Sequence, residues 1–429
     1  MTDNKADIFE QYESAVRSYC RSVPVVFNKA EGAYMYSEDG EKYLDFLAGA
    51  GALNYGHNDP DMVEALVAYI REGGIVHGLD FHSRAKAEFI ETLQDKILRP
   101  RDMDYLIQFT GPTGTNCVEA SMKLARKVTG RTNIIAFTNG FHGVTMGALA
   151  ASANQHHRCG AGAQLCGVQR MPYDGYMGEG VDTLTYFEQC LNDPSSGIDK
   201  PAAVLFEGIQ GEGGLNVASF QWMKRLEEIC RAHDILLIAD DIQAGCGRSG
   251  TFFSFEPSGI KPDMINMSKS LSGLGLPAAI VLVRKDLDIW KPGEHNGTFR
   301  GNAHAFVTAK AAMDKFWSDD RFEKSVREKA DVVAEALDAI AARHKALGVR
   351  RKGRGMMQGL AFDDPAVADA ITGVAFEHNM IIETAGPRDE VVKCLIPLTI
   401  EMEDLKRGLD ILARSVDRVA ADHPAAAAE

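Results

Sequence analysis

Cysteine is scarce in this chain: eight in 429 residues, scattered, with no C-x-x-C pair. That excludes a disulfide framework and leaves buried free thiols as the expected state. Long apolar runs are missing too, none approaching the ~20 residues that a membrane-spanning helix needs. The opening MTDNKADIFEQYESAVRSYC has neither the apolar stretch nor the small-residue cleavage site of a signal peptide, so the chain reads as cytoplasmic. Basic residues are in deficit, 46 Lys and Arg against 60 Asp and Glu, a formal charge of −14. Nucleic-acid binding runs on clustered Lys and Arg, so a polyanionic partner is disfavoured. Internal repeats are absent. The tail DHPAAAAE is the one biased segment and is expected to fray.

What is present is an ordinary globular composition, 45 % hydrophobic and 25 % charged, in a length that suits roughly two to three domains. Asp7 to Ser22 reads as a helix, and GAYMYSEDGEKYLDFLAG as a hairpin turning at Asp39-Gly40. From about Asp61 helix and strand alternate. The helix NCVEASMKLARKVTG stops at Gly130; NIIAFT, AAVLFE, Ile235 to Ala239, DMINMS and AAIVLV read as buried strands, with the helix QWMKRLEEICRAHD among them. Such alternation predicts an α/β fold with a largely parallel sheet covered on both faces. After Gly301 the texture changes to a long helix, SVREKADVVAEALDAIAARHKAL, and short strands around GMMQGLAF and NMIIET, which predict a smaller α+β unit. Ligands of open α/β sheets sit beyond the carboxyl ends of the strands, and Glu207, Asp240, Asp241 and Lys269 all fall at such ends.

Two adjacent acids, Asp240 and Asp241, after an apolar run are costly to bury unless a positive partner waits there. Lys269, in PDMINMSKSLSGLGLP, is by itself most simply a solvated boundary residue. Desolvated, it is an amine able to form a Schiff base. In FTGPTGTNCVEASMKLAR a Thr/Gly turn opens an amphipathic helix. Its free amides, with Thr113, Gly114 and Thr115, suit a phosphate, although an ordinary N-cap explains it as well. The absence of G-x-x-x-x-G-K-[ST] argues against a nucleoside triphosphate. Phe141 and His142, in TNGFHGVTMGA, put an aromatic beside glycines at a strand end, placed to stack on a planar ring or simply to pack. EGIQGEGG holds Glu207 among glycines, and HNGTFRGNAHA holds Thr298 in a loop. GCGRSG, Gly245 to Gly250, fits G-x-G-x-x-G, but the aromatic- and proline-rich TFFSFEPSGIKP that follows reads as a loop where a dinucleotide site needs a helix. HHRCGAGAQLC has no zinc-ligand spacing, and no metal is expected.

Together these segments resemble the class III, fold-type I aminotransferases that use pyridoxal 5'-phosphate, from YSEDGEKYLDFLAGAGALNYGHNDP to VKCLIPLTIEMEDL. The resemblance implies a large cofactor-binding domain over 61–310, a smaller α+β domain over 311–429, and an N-terminal segment, 1–60, associated with the latter. It implies that Lys269 holds the cofactor as a Schiff base and that Asp240 pairs with its protonated ring nitrogen. Gln243 would lie near the ring hydroxyl, Gly114 and Thr115 would cradle the phosphate, and Phe141 would stack. Thr298 would reach the phosphate of a neighbouring copy, making at least a homodimer. HGLDFHS, QFTGPTGTNCVEASMKLARK, FTNGFHGVTMGALA and ADDIQAGCGRSGTFFSFE are most similar to one branch of the family, in ectoine biosynthesis. That branch moves an amino group from L-glutamate to L-aspartate 4-semialdehyde, giving 2-oxoglutarate and L-2,4-diaminobutyrate. Asp241 stands where relatives usually have Glu. Three further positions depart from the family: Val144 and Lys393 stand where relatives carry carboxylate-binding Arg, and Gly208 replaces Pro. In relatives the acid at Glu207 pairs with that Arg, so a Glu207–Lys393 pair is expected. Two rivals remain: another ω-aminotransferase of the ornithine, 4-aminobutyrate or putrescine type, and a dinucleotide-dependent dehydrogenase resting on GCGRSG alone.

Overall fold

The computed structural model describes residues 6–422, with side chains from residue 8 onward. Of the tail DHPAAAAE, everything after Asp422 lies outside the described residues. The runs IIAF, AVLF, LLIAD and MINM become strands buried at every position. They sit in a seven-stranded sheet of order Tyr105–Phe109, Ile280–Arg284, Met264–Met267, Leu236–Asp240, Ala203–Phe206, Ile134–Phe137, Val168–Met171. The four central strands and Val168–Met171 are parallel, whereas Ile280–Arg284 runs antiparallel to both of its neighbours.

The two-residue period of the strands divides the core. Ile135, Phe137, Val204, Phe206, Leu237 and Ile265 pack with the helix residues Phe89, Leu226 and Phe306 on one face. Ile134, Ala136, Leu205, Ile238 and Met264 pack with Val118, Met122 and Leu124 of the helix Gly114–Thr129 on the other. Apolar residues on both faces of a strand require cover on both, which is why these strands read as unbroken apolar runs.

A second layer holds a four-stranded antiparallel sheet, Arg350–Arg354, Met357–Ala361, Val391–Leu395 and Glu383–Ala385. The helices Arg321–Arg343, Pro365–Glu377 and Met402–Asp422 cover it. The N-terminal hairpin, Tyr34–Ser37 with Lys42–Asp45, pairs in parallel with Met380–Ile381, and its Tyr34, Leu44 and Phe46 enter the same core.

Three expectations need correction. The opening helix is broken into Ala6–Tyr12 and Tyr19–Ser22. Ser14 Oγ accepts from the Val16 amide and the Ser14 carbonyl from Arg17 Nε, a local alternative to helical bonds, and Tyr19–Ser22 buries no residue that would stabilise a longer helix. The long helix begins four residues earlier than read, at Arg321, and ends at Arg343, where Lys345–Leu347 tightens into a 3-10 turn. The thiols are not all buried: Cys117, Cys190, Cys230, Cys246 and Cys394 are, whereas Cys20, Cys159 and Cys166 are exposed. The strands Tyr105–Phe109 and Val168–Met171 and the helix Ala303–Phe316 were not anticipated, the two strands because both lie at sheet edges and are only partly buried. No described helix is long and apolar enough to cross a membrane.

Candidate active site

Asp240 is the last residue of a central strand, and its carboxylate is almost wholly buried. His142 Nδ1 lies 2.6 Å from Oδ2, and the Ile242 amide donates to Oδ1 at 3.3 Å. His142 therefore stands behind Asp240 and fixes it, its own amide tied to Ser152 Oγ. Asp241, one residue on, belongs to a different set of neighbours. It accepts from the Ser254 amide at 3.1 and 3.3 Å, and burial pushes its carboxyl up to about 7 against those hydrogen bonds. The paired acids thus answer to different partners, as consecutive residues at a strand end do.

Lys269 follows the neighbouring strand with φ of 51°, a left-handed backbone that costs a non-glycine residue about 1–3 kcal/mol. Its Nζ donates to the Ala50 carbonyl at 2.9 Å, and Gln243 Nε2 donates to the same oxygen at 3.0 Å. That carbonyl is aimed by Ala48–Gly51, where φ is 46°, 58°, 54° and 82° in succession, a left-handed turn containing two alanines. Burial lowers the Lys269 pKa, opposed chiefly by the charge of Glu212. A half-buried amine with a depressed pKa holds its lone pair ready for a carbonyl carbon.

The helix Gly114–Thr129 begins beside this pair of strand ends, and the Thr113 side chain makes no cap bond to it. A Cβ on Gly114 would meet Ile242 at 3.0 Å, so the first turn packs this closely on the segment after Asp240 only with glycine at 114. Thr115 Oγ1 bonds Thr145 Oγ1 at 2.6 Å. Phe141 is half-buried, and its amide donates to Glu207 Oε2 at 3.0 Å. Burial, reinforced by Asp240, pushes the Glu207 carboxyl well above the usual range. Thr298 is exposed at the start of the turn Thr298–Gly301, next to Gly297, where a Cβ would meet the Gly111 nitrogen at 3.1 Å.

The expected Glu207–Lys393 pair does not form. Lys393 Nζ, fully buried, lies 2.8 Å from Glu212 Oε1 and 3.0 Å from Glu383 Oε1. Glu207 is instead committed to the Phe141 loop. Glu212 also accepts from Gln243 Nε2 at 2.8 Å. Burial acts to raise the Glu212 carboxyl, but Lys393 and Lys269 outweigh it and hold it at about 2. Burial likewise opposes the charge on Lys393, and its two carboxylates override that and raise its pKa. Sequence reasoning missed Glu212, Glu383 and the Ala50 carbonyl. Only Glu212 left a signal, as the second acid of EGIQGEGG between glycines.

GCGRSG runs through consecutive turns and opens no helix. Its Arg248, wholly buried, binds Asn54 Oδ1 and the carbonyls of Met356 and Ile396, a structural tie within the chain. Among the described residues no group of three or more His, Cys, Asp or Glu is placed to hold a metal. The donor set does fit pyridoxal phosphate: a half-buried amine for its aldehyde, a buried carboxylate for a protonated ring nitrogen, a half-buried ring, and a helix start at Gly114 whose first amides carry no side-chain cap, for its phosphate.

The chain is similar to known proteins over nearly its whole length. The model of the class-III aminotransferase family matches residues 16–416. The diaminobutyrate–2-oxoglutarate transaminase of Vibrio parahaemolyticus is 58 % identical over 97 % of this chain and 99 % of its own, and that of Halomonas elongata 57 % identical over 96 % and 98 %. Among solved structures, the ornithine aminotransferase of Toxoplasma gondii superposes with a TM-score of 0.84 at 26 % identity, covering 97 % of this chain and 94 % of that one. An S-selective transaminase from an Arthrobacter species shares the fold at 0.86 and 19 % identity, covering 99 % of both. The chain belongs to the class-III aminotransferases.

Proposed function

We propose that the chain moves the amino group of L-glutamate to L-aspartate 4-semialdehyde, yielding 2-oxoglutarate and L-2,4-diaminobutyrate. Pyridoxal phosphate, when bound, supplies an aldehyde that takes up the amine and a ring that draws electrons from the bond being broken. Lys269, Asp240, Gln243, Phe141 and the Thr113–Gly114–Thr115 turn would hold it. Asp240, aimed by His142, would balance positive charge at the ring nitrogen. Lys269 Nζ moves the proton at the substrate carbon that bears the amine.

The observation that carries the reading is the Lys393–Glu212 pair beside Lys269. Glutamate brings a carboxylate next to its reacting carbon, and diaminobutyrate, reacting through its terminal amine, brings none. A pair that opens for the first substrate and stays shut for the second lets one site serve both. Lys393 offers a point charge where Arg would offer a planar fork, so it releases one carboxylate for another without a fixed bidentate geometry. The full-length likeness to the Vibrio and Halomonas enzymes supports the same substrates.

A homodimer at least belongs to this reading. Thr298 is exposed, and around it Val76, Leu79, Phe81 and Phe299 expose large apolar surface, with His77 against Phe299 at 5.1 Å. Apolar clusters of this kind mark interaction surfaces. A second copy seated there would bury them and bring Thr298 toward its partner's cofactor site.

The testing measurement is the visible absorption spectrum of cofactor-loaded protein before and after L-2,4-diaminobutyrate, without keto acid, with ornithine and 4-aminobutyrate in parallel. Bleaching of the yellow band by diaminobutyrate and scarcely by the others is expected, and Lys269→Ala should not bleach on the same timescale. Bleaching only by another amine would move the enzyme to the ω-aminotransferase alternatives, and a protein that never turns yellow would remove the cofactor assignment.

A further inference from the structure

Phe141 and His142 sit on a loop that two later residues, Ser152 and Ala153, hold at three points. The His142 amide donates to Ser152 Oγ at 2.9 Å. The Ser152 hydroxyl has the Gly143 carbonyl at 2.9 Å, nearer than that of Ala148 at 3.1 Å. The Ala153 amide donates to the Gly140 carbonyl at 2.8 Å. Ser152 is wholly buried, so no water stands in for any of these bonds at its side chain. The loop takes its position from Ser152 and Ala153, and with it the His142 ring on Asp240 and the Phe141 amide on Glu207.

Ser152 itself follows the helix Met146–Ala151, which at six residues is too short to hold its own end. Two guanidiniums do so. Arg158, from the short helix Gln155–Cys159, donates through Nη1 to the Ser152 carbonyl at 3.1 Å and reaches those of Leu149 and Ala150 at 3.2 and 3.3 Å. Arg170, on the edge strand Val168–Met171, donates through Nη2 to the Ala150 carbonyl at 2.6 Å and to that of Ser152. One cation at a helix end is an ordinary cap. Here two like charges converge on the same two carbonyls, and neither forms an ion pair among the described residues. Burial, and then Arg158, lower the Arg170 guanidinium to about 10, so both stay charged at neutral pH. Their mutual repulsion works against this arrangement, and what it secures is the Ser152 carbonyl, held from two separate elements.

Resting on the cofactor reading above, we propose that Ser152 is the positioning residue for His142 and Phe141, and that Arg158 and Arg170 act through it. Ser152 touches neither the reacting carbon nor Lys269. It sets where His142 meets Asp240 and where Phe141 lies, so the groups assigned to the ring nitrogen and to the ring face answer to one hydroxyl. Moving Ser152 displaces both together, and small misplacements of such groups are costly to rate.

The test compares wild type, Ser152→Ala, Ser152→Thr, Arg170→Gln and Arg170→Lys. Three quantities are read: the dissociation constant for pyridoxal phosphate, the position of the yellow band, and the bleaching rate with L-2,4-diaminobutyrate, split into its saturating value and its half-saturating concentration. Ser152→Ala should weaken cofactor binding and lower the saturating rate, each about tenfold, and displace the band, while the half-saturating concentration moves less than about twofold. Ser152→Thr keeps the hydroxyl and should recover most of both losses. Arg170→Gln should repeat the pattern at about threefold, with Arg170→Lys, which keeps the charge, close to wild type. Arg170 is only partly buried, so its variants decide the matter should Ser152→Ala fail to fold. Melting of the cofactor-free proteins separates positioning from plain loss of stability. Wild-type cofactor affinity and saturating rate in both Ser152→Ala and Arg170→Gln would overturn the inference, as would losses that Thr and Lys do not recover or that only follow the melting temperature. A wild-type protein that never turns yellow would overturn the cofactor reading and this inference with it.

Discussion

Asp241 shows how one side chain makes stability depend on pH. Its carboxyl titrates near 7 in the folded protein and near the ordinary Asp value of about 3.9 when unfolded. The folded state thus holds the proton more tightly. Below the lower value there is no penalty, and stability is lost as pH rises from about 4 through about 7, at roughly 1.4 kcal/mol per unit. Asp241→Asn keeps an oxygen for the Ser254 amide and removes the charge. It should melt several degrees above wild type at pH 8, with the gain shrinking toward zero near pH 4, as thermal unfolding across pH will show. An Asn variant that melts lower at every pH would mean that the ionised carboxylate is itself needed. That two acids stand at this strand end is plain in ADDIQAG; that Asp240 binds His142 while Asp241 faces Ser254 is not.

At the scale of elements, the turn that carries Glu212 depends on glycine. A Cβ on Gly211 would fall 1.7 Å from Gln243 Oε1 and 2.3 Å from Met357 Cε. Gly211→Ala must therefore push aside Gln243, which bonds both Ala50 and Glu212, or the Met357 strand beneath it. Overpacking of this kind costs about 1–3 kcal/mol. A drop of that size in the denaturant midpoint is expected, with a larger loss in the glutamate half-reaction than in overall stability. The glycine clustering is visible in EGIQGEGG, but its purpose is not, because the side chains it makes room for are 32 and 146 positions away in the sequence. The broken opening helix has the same origin. Its residues have helical propensity, and what is missing is a tertiary surface for them to bury against.

For the whole molecule, the exposed apolar group around Phe299 is the largest commitment. Val76 is 58 % exposed, Phe81 68 % and Phe299 65 % in the single chain. A Phe299→Asp exchange would place a charge in the surface that a second copy should cover, at the cost of burying an unpaired carboxylate. Light scattering should then find wild type as a dimer or larger and the variant shifted toward monomer, with weaker retention of the cofactor because Thr298 is withdrawn. A monomeric wild type would remove the role given to Thr298. Inside each chain, Arg248 binds Asn54 from the N-terminal segment and the Met356 and Ile396 carbonyls from the smaller sheet's neighbourhood, so the segments on either side of the site are tied by a buried cation that forms no ion pair among the described residues.

Local chemistry in the sequence was enough to determine the parallel sheet, the strand ends that carry Asp240 and Lys269, the Thr/Gly helix start and the loop nature of GCGRSG. Each of these is written in contiguous residues: apolar runs of strand length, turn residues after them, aromatics and prolines where a helix would have to begin. Only the tertiary structure decided which acid meets Lys393, where the Ala50 carbonyl points and what Glu383 faces. Those answers depend on cross-strand register and on a left-handed turn built from alanines. Register is set by packing between segments far apart in the chain, and a left-handed alanine is held in place by its surroundings against its own preference.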